Sequence, residues 1–282
     1  MTSTLDLAAQ AAIAVFGTEV RSEEFRTSSH RLAQFAAALG GQADLFRVGQ
    51  LAVPTFAHIP VMQSMVEVLG RVTGSLVMHG EHDFVFHRPI TPGQRLHTVS
   101  RLTGVRSNAA GLLLIVRSET WLHTGDAICT QYSTCILPGR ADPVAIGEAV
   151  PDRPQVSDGA TRTYGFPISP SLTEAYAEAA RDYSPYCLVT EDAQTAGFEA
   201  PIVYGMLSLS LAALSVVNEH AASDPARLRR LGCRFAQPLF SRAGETLFLT
   251  YHANAEAGLV GFAATDGAGR AIMTRGYAEV TQ

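Results

Sequence analysis

Lysine is missing from this sequence: all 21 basic residues are arginine. With no side-chain amine there is no Schiff-base lysine, no pyridoxal anchor, no phosphate-loop lysine and no Ser-Lys dyad. Cysteine is scarce. Cys129, Cys135, Cys187 and Cys233 form no Cys-x-x-Cys pair, which fits a reducing compartment better than a disulfide framework. Charge is sparse as well, at 17% of residues against 47% hydrophobic, with a net charge of −5. A binder of phosphate backbones needs the opposite balance, so nucleic acid is excluded as a partner. The longest uncharged run, residues 202–217, is 16 residues and contains glycine and serines; a membrane span takes ~20 apolar residues. No basic residue precedes the apolar stretch 8–16, so it does not read as a signal peptide. These absences predict a chain that stays off the membrane, in the cytoplasm. Neither G-x-S-x-G, G-x-G-x-x-G nor a phosphate loop is present, which leaves serine hydrolase, dinucleotide and nucleotide chemistry without support.

A chain of 282 residues buries a core without disulfide or metal staples and makes one large domain or two small ones. Two halves read alike. Each has a helix-like stretch (31–40 and 172–182), then a proline phrase (Pro54 and Pro201), an apolar helical stretch, and a second proline phrase (Pro89 and Pro238) at nearly the same interval. Strand-like alternation follows in 96–102, 112–120 and 127–137, and again in 246–252, 259–265 and 271–280. This is a duplication, too short to be a repeat array.

Ser171 and Glu174 form a capping-box pattern after Pro170, which predicts a helix starting at Leu172. Pro185 disfavours helix at Ser184, so that helix ends near Arg181. The stretch 205–217 is apolar all round and must be wrapped by other structure. A curled antiparallel sheet around it is the economical answer.

Between Tyr176 and Met206 the chain carries Asp182, Pro185, Gly197-Phe198, Pro201-Ile202 and Gly205-Met206 in order. This resembles the MaoC-like (R)-specific hydratase/dehydratase family, whose pattern is a helix ending in Gly-Asp-x-Asn-Pro-apolar-His, followed by Gly-Phe and Pro-Ile-x-His-Gly-Met. Pro54 to Phe56 and Phe86 to Pro89 look like the degenerate first repeat of its two-repeat members. Four positions depart from the pattern: Arg181 for Gly, Ser184 for Asn, Cys187 for the catalytic His, and Tyr204 for the His before Gly205. Aligning Phe35 with Tyr176 sets Gly41 opposite Asp182, so the first half lacks the carboxylate.

The resemblance implies an α+β tandem (double) hot-dog, two curled antiparallel sheets each around a central helix. Its parts are an N-terminal extension (1–25), a first repeat (26–140), a linker (141–162) and a site-bearing second repeat (163–282). It implies a hydro-lyase that reversibly adds or removes water at C2–C3 of an acyl thioester. In such a site Asp182 serves as base or water-positioning group, and the thioester oxygen lies at the start of the buried helix, at Gly205 and Met206. Cys187 is either a protonated small hydrophobe or a covalent handle for an enoyl thioester. Tyr204 is either a replacement acid or a space-filler. Ser184, Gly205, Met206 and His58 are the further substrate-binding candidates, and Arg229 and Arg230 offer a grip for phosphates of the carrier. The implied partner is acyl-CoA or an acyl-carrier-protein thioester, with no cofactor, in a monomer of two repeats or a homodimer. Two alternatives stay open without the His: a homologue that isomerises or cyclises an enoyl or polyketide-type thioester, and a non-catalytic acyl-binding subunit.

His79, His82 and His87 invite a metal reading. Strand alternation, however, sets His79 with Glu81, Asp83 and His87, leaves His82 on the other face, and matches no ligand spacing such as HExxH. No metal site is expected.

Overall fold

A computed structural model describes residues 4–40, 44–139, 142–156, 160–254 and 258–281. Gly41, and residues 140–141 and 157–159 at and within the expected linker, lie outside the described residues. The chain forms two compact units. One comprises Met1–Arg26, Pro60–His87 and Arg95–Asp152; the other comprises Thr27–Ile59, Arg88–Gln94 and Arg153–Gln282.

The first unit contains helix α1 (Thr4–Val15) and the short strands β1 (Val20–Arg21) and β2 (Phe25–Arg26). Helices α2 (Ser29–Ala38) and α3 (Asp44–Arg47) belong to the second unit; α4 (Met62–Gly70) belongs to the first, with β3 (Met78–Phe86), β4 (Arg95–Asn108), β5 (Gly111–Leu122), β6 (Ala127–Pro138) and β7 (Ala145–Gly147). Its antiparallel sheet runs β1-β4-β5-β6-β3, and β2 and β7 also pair with β4. Met65, Val68 and Leu69 of α4 pack onto Leu102, Val105, Leu112, Leu114 and Val116. Ala8, Ala12 and Val20 join that core, so the stretch read as an extension is built into this unit. The stretch read as linker contains β7 and the first residues of the strand that opens the second sheet.

In the second unit follow β8 (Ala160–Ile168), α5 (Pro170–Ala180), α6 (Pro185–Leu188), α7 (Thr190–Thr195), α8 (Gly205–His220), β9 (Leu228–Phe235), β10 (Glu245–Asn254), β11 (Leu259–Thr265) and β12 (Ala271–Val280). The sheet order is β9-β12-β11-β10-β8, antiparallel throughout. Helix α8 is buried at every residue from Met206 to Leu214, as its all-round apolar sequence demands. β11 and β12 coincide with the alternating stretches of the sequence. Gly276 faces Phe262 so closely that an added Cβ would lie 2.3 Å from that ring.

Two local expectations shift. The cap of α5 is Ser169, not Ser171: its hydroxyl accepts from Leu172 N–H at 3.1 Å, and Pro170 takes the first helical position, where its missing N–H costs nothing. His79 and His82 share a contact, with Nε2 of one 3.1 Å from Nδ1 of the other. A register shift between His79 and Glu81 breaks the period of two. Gly80 sits at that shift, where a Cβ would lie 2.6 Å from Ile136.

Part of the first half belongs with the second unit. Helix α2 is capped by Ser28 and buries Leu32, Phe35 and Ala36, a stripe at helical spacing. It packs against α5. A 3-10 helix spans Pro54–Val61, and its Pro60 has no N–H to continue an α-helical ladder. Among the described residues no helix is long and apolar enough to cross a membrane.

Candidate active site

Helix α5 ends because Arg181 turns left-handed, at φ 54°. Glycine enters that region without cost, and an arginine there carries about 1 kcal/mol of strain. The turn throws Asp182 out of the helix, with its N–H bonded to the Ala177 carbonyl at 3.1 Å. Asp182 is half-buried. Its Oδ1 accepts twice from Ser184, from the backbone N–H at 3.1 Å and from the hydroxyl at 2.6 Å. Both bonds fall on one oxygen and fix the plane of the carboxylate, which leaves Oδ2 to face a substrate or water.

Pro185 then opens α6, which brings Cys187 inside at 3% exposure. Burial pushes its thiol well up, and the carboxylate of Asp182 adds to the shift. The thiol is therefore protonated at neutral pH.

Asp182 is tied to the head of α8 by Tyr204. The Tyr204 hydroxyl donates to the Asp182 backbone carbonyl at 2.7 Å. Burial, then the nearby Cys187 and Asp182, push this phenol above its ordinary range. The segment before α8 is anchored by Ile202 N–H to Tyr186 and Val203 N–H to Leu239. At the helix start the Tyr204 carbonyl takes the N–H of Leu207 at 3.0 Å and of Ser208 at 3.3 Å. The N–H groups of Gly205 and Met206 lie ahead of these, at the positive end of a 16-residue helix. Gly205 admits the Phe235 ring, which an added Cβ would meet at 3.1 Å.

Two residues at this site were not singled out as candidates by the sequence. Tyr176, buried on α5, packs at a tilt against Tyr204 with ring centroids 5.4 Å apart. Burial and the charge of Asp182 push its hydroxyl up, against a hydrogen bond with Ser210. Ser210 lies on α8 and donates to the Met206 carbonyl at 2.6 Å. A tyrosine in an alanine-rich helix and a serine in an apolar one were the available hints.

The remaining candidates stand on other elements. His58 is buried within the 3-10 helix, two residues after Phe56. Arg230 is committed to its own sheet: it pairs with Glu279 at 2.8 Å, donates to the Tyr277 hydroxyl at 3.1 Å and lies over that ring. Arg229, the preceding residue on β9, is exposed. In the first unit His82 is fully buried among His79, Gln131 and Ser133. Glu24, His97 and His123, also in that unit, each bring a ligand atom within 4.8 Å of the others. Arg95 and Arg26 already hold the Glu24 carboxylate at 2.6 and 3.0 Å, so a cation would have to displace two guanidinium groups.

One carboxylate, set beside a helix N-terminus and surrounded by neutral phenols and a thiol, suits proton transfer next to a carbonyl that gathers negative charge.

Residues 153–257 match the family described as "MaoC like domain", and residues 14–131 match the "FAS1-like, dehydratase domain region". The chain is 26% identical to the peroxisomal enoyl-CoA hydratase 2 of Arabidopsis thaliana, over 81% of this chain and 74% of that one. It is 25% identical to the peroxisomal multifunctional enzyme type 2 of Mus musculus, covering 69% of this chain but only 27% of that longer protein. Among solved structures, a MaoC-like dehydratase from Phytophthora capsici superposes with a TM-score of 0.81 at 21% identity, over 97% of this chain and 99% of that one. A Mycobacterium tuberculosis protein described as having a double hotdog fold superposes with a TM-score of 0.61 at 17% identity, over 93% of this chain and 94% of that one.

Proposed function

We propose that this chain, whose residues 153–257 match the MaoC like domain and whose fold is a double hot-dog, reversibly hydrates a 2-enoyl thioester to the 3-hydroxyacyl thioester, with its site in the second repeat. The observation that carries this reading is the tie between Asp182 and the head of α8 through Tyr204. It joins the backbone of the residue that carries the carboxylate to the helix end where a thioester oxygen would rest.

In the hydration direction Asp182 Oδ2 takes a proton from water as the hydroxide oxygen bonds to C3. The π electrons of the C2–C3 bond move onto the thioester oxygen, which the α8 N-terminus stabilises. The protonated Asp182 then delivers its proton to C2, restoring the carbonyl and the carboxylate. One residue performs both transfers, because the Cys187 thiol stays protonated and the Tyr204 hydroxyl is engaged. Ser184 is a positioning residue in this scheme, and Gly205 and Met206 supply the oxyanion donors.

The acyl thioester is carried by CoA or a carrier protein, and the exposed Arg229 is the basic residue of the pair left for carrier phosphates. The four thiols are buried, which suits the cytoplasm. The test is mass spectrometry and ultraviolet absorbance with crotonyl-CoA and longer trans-2-enoyl-CoAs, wild type beside Asp182→Asn. Loss of enoyl absorbance with the mass of one water gained, reduced by about 10²–10⁴-fold in the variant, is expected for loss of the acid-base group. Turnover that survives in Asp182→Asn, or a product without added water, refutes it.

A further inference from the structure

The acyl thioester must lie across Asp182 with its two ends in different surroundings. On the outer side Tyr183 is 53% exposed and Pro185 is exposed, which suits a polar carrier. On the inner side stands Tyr176, at 3% exposure and packed against Tyr204, whose hydroxyl holds the Asp182 backbone. An apolar tail placed beyond C3 gains by leaving water on this buried side.

That side is closed by aromatic rings. Tyr176 packs on Phe35 of α2 at 5.8 Å between centroids, and Phe35 packs edge-on against Phe56 of the 3-10 helix at 5.5 Å. Phe35 is 1% exposed and Phe56 fully buried. Both come from the first half of the sequence, and both sit in the same compact unit as Asp182. Helix α2 is held in place by its Ser28 cap and by packing against α5, so the stack is part of the core and not a movable flap. Interiors packed in this way do not open for extra methylenes without strain.

We propose that Tyr176, Phe35 and Phe56 form the end wall of the acyl site and restrict it to short acyl thioesters, with Phe35 as the residue that sets the length. This rests on the acyl-thioester reading above but is independent of whether water is added.

Binding of saturated acyl-CoAs tests it without chemistry. Butyryl-, octanoyl- and dodecanoyl-CoA are titrated calorimetrically into the full chain, wild type beside Phe35→Ala and Phe56→Leu. Phe35→Leu is the milder substitute should the alanine variant not fold by circular dichroism. A methylene that gains burial is worth about fourfold in affinity. Wild-type affinity is expected to stop rising beyond the short chain, and the dodecanoyl-to-butyryl ratio to increase at least about fourfold in the folded variants. Wild-type binding that tightens steadily through dodecanoyl-CoA overturns the wall, as does an unchanged ratio in folded variants. A short-chain binding profile without hydration of any enoyl-CoA leaves the wall standing and removes the hydratase reading. Failure to bind any acyl-CoA removes both.

Discussion

Replacing Ser184 with alanine deletes the shorter of the two bonds on Asp182 Oδ1, the 2.6 Å hydroxyl contact, and spares the 3.1 Å bond from the Ser184 backbone. Ser184 stands at the N-cap of α6, yet its side chain makes no capping bond there, so the helix loses nothing. A neutral donor on a charged acceptor is worth about 1.5–3 kcal/mol when protected from water. Asp182 is half-buried, and solvent screening brings the effect to about 1–2 kcal/mol. That energy holds the carboxylate plane in which Oδ2 meets water, so it is lost mainly from the transition state, a fall in kcat of about 5–30-fold. KM should change little, because the hydroxyl is turned to Asp182 and not to the substrate. The assay is steady-state hydration of a 2-enoyl-CoA followed by enoyl absorbance, with circular dichroism to verify folding. Ser184→Thr keeps a hydroxyl and should recover most of the rate. A folded Ser184→Ala variant within about twofold of wild-type kcat would refute the positioning role, as would a rise in KM alone.

Three further outcomes follow from the same geometry. Burial raises the thiols of Cys129 and Cys187, with the Asp182 carboxylate contributing at Cys187, and pushes Cys135 up to about 12; all three stay protonated at neutral pH, so the native protein should resist thiol-specific reagents until unfolded, and rapid labelling of Cys187 would contradict this. Burial of Asp266 raises its carboxyl, but bonds from the Arg270 backbone and guanidinium and the Ala268 backbone outweigh it, so the folded pKa lies below the ordinary value of 3.8. Its contribution to stability is present above that value and is lost as pH falls through the folded one; denaturant melts should show a steeper acid loss in wild type than in Asp266→Asn, and equal slopes would refute the assignment. Gly276→Ala sets a methyl 2.3 Å from the Phe262 ring and 2.4 Å from its carbonyl oxygen, which should cost about 3 kcal/mol in chemical unfolding; a loss under about 1 kcal/mol would mean the strands relax freely.

The sequence by itself determined whatever depends on neighbours along the chain. Alternation placed β11 and β12, proline chemistry ended α5 before Ser184, and the all-round apolar run from Gly205 announced a wrapped helix. Asp182, Pro185 and the Gly205-Met206 pair stand within one stretch of residues, so the proposed site, a base beside a helix N-terminus, was legible there. What the residues do to one another was decided only on folding. Tyr204 reads as a spare acid until its hydroxyl is found on the Asp182 carbonyl, 22 positions back. Arg230 reads as a phosphate grip until Glu279 and Tyr277 take it from the neighbouring strand. His79 and His82 meet because a bulge at Gly80 shifts the register, a feature set by pairing with β6 and not by the local sequence. Phe35 and Phe56 belong by sequence to the half without a counterpart of Asp182, and only tertiary packing sets Phe35 between Phe56 and Tyr176 in the unit that holds Asp182. Contacts of this kind depend on distance in space between elements far apart in the chain, and no periodicity encodes that.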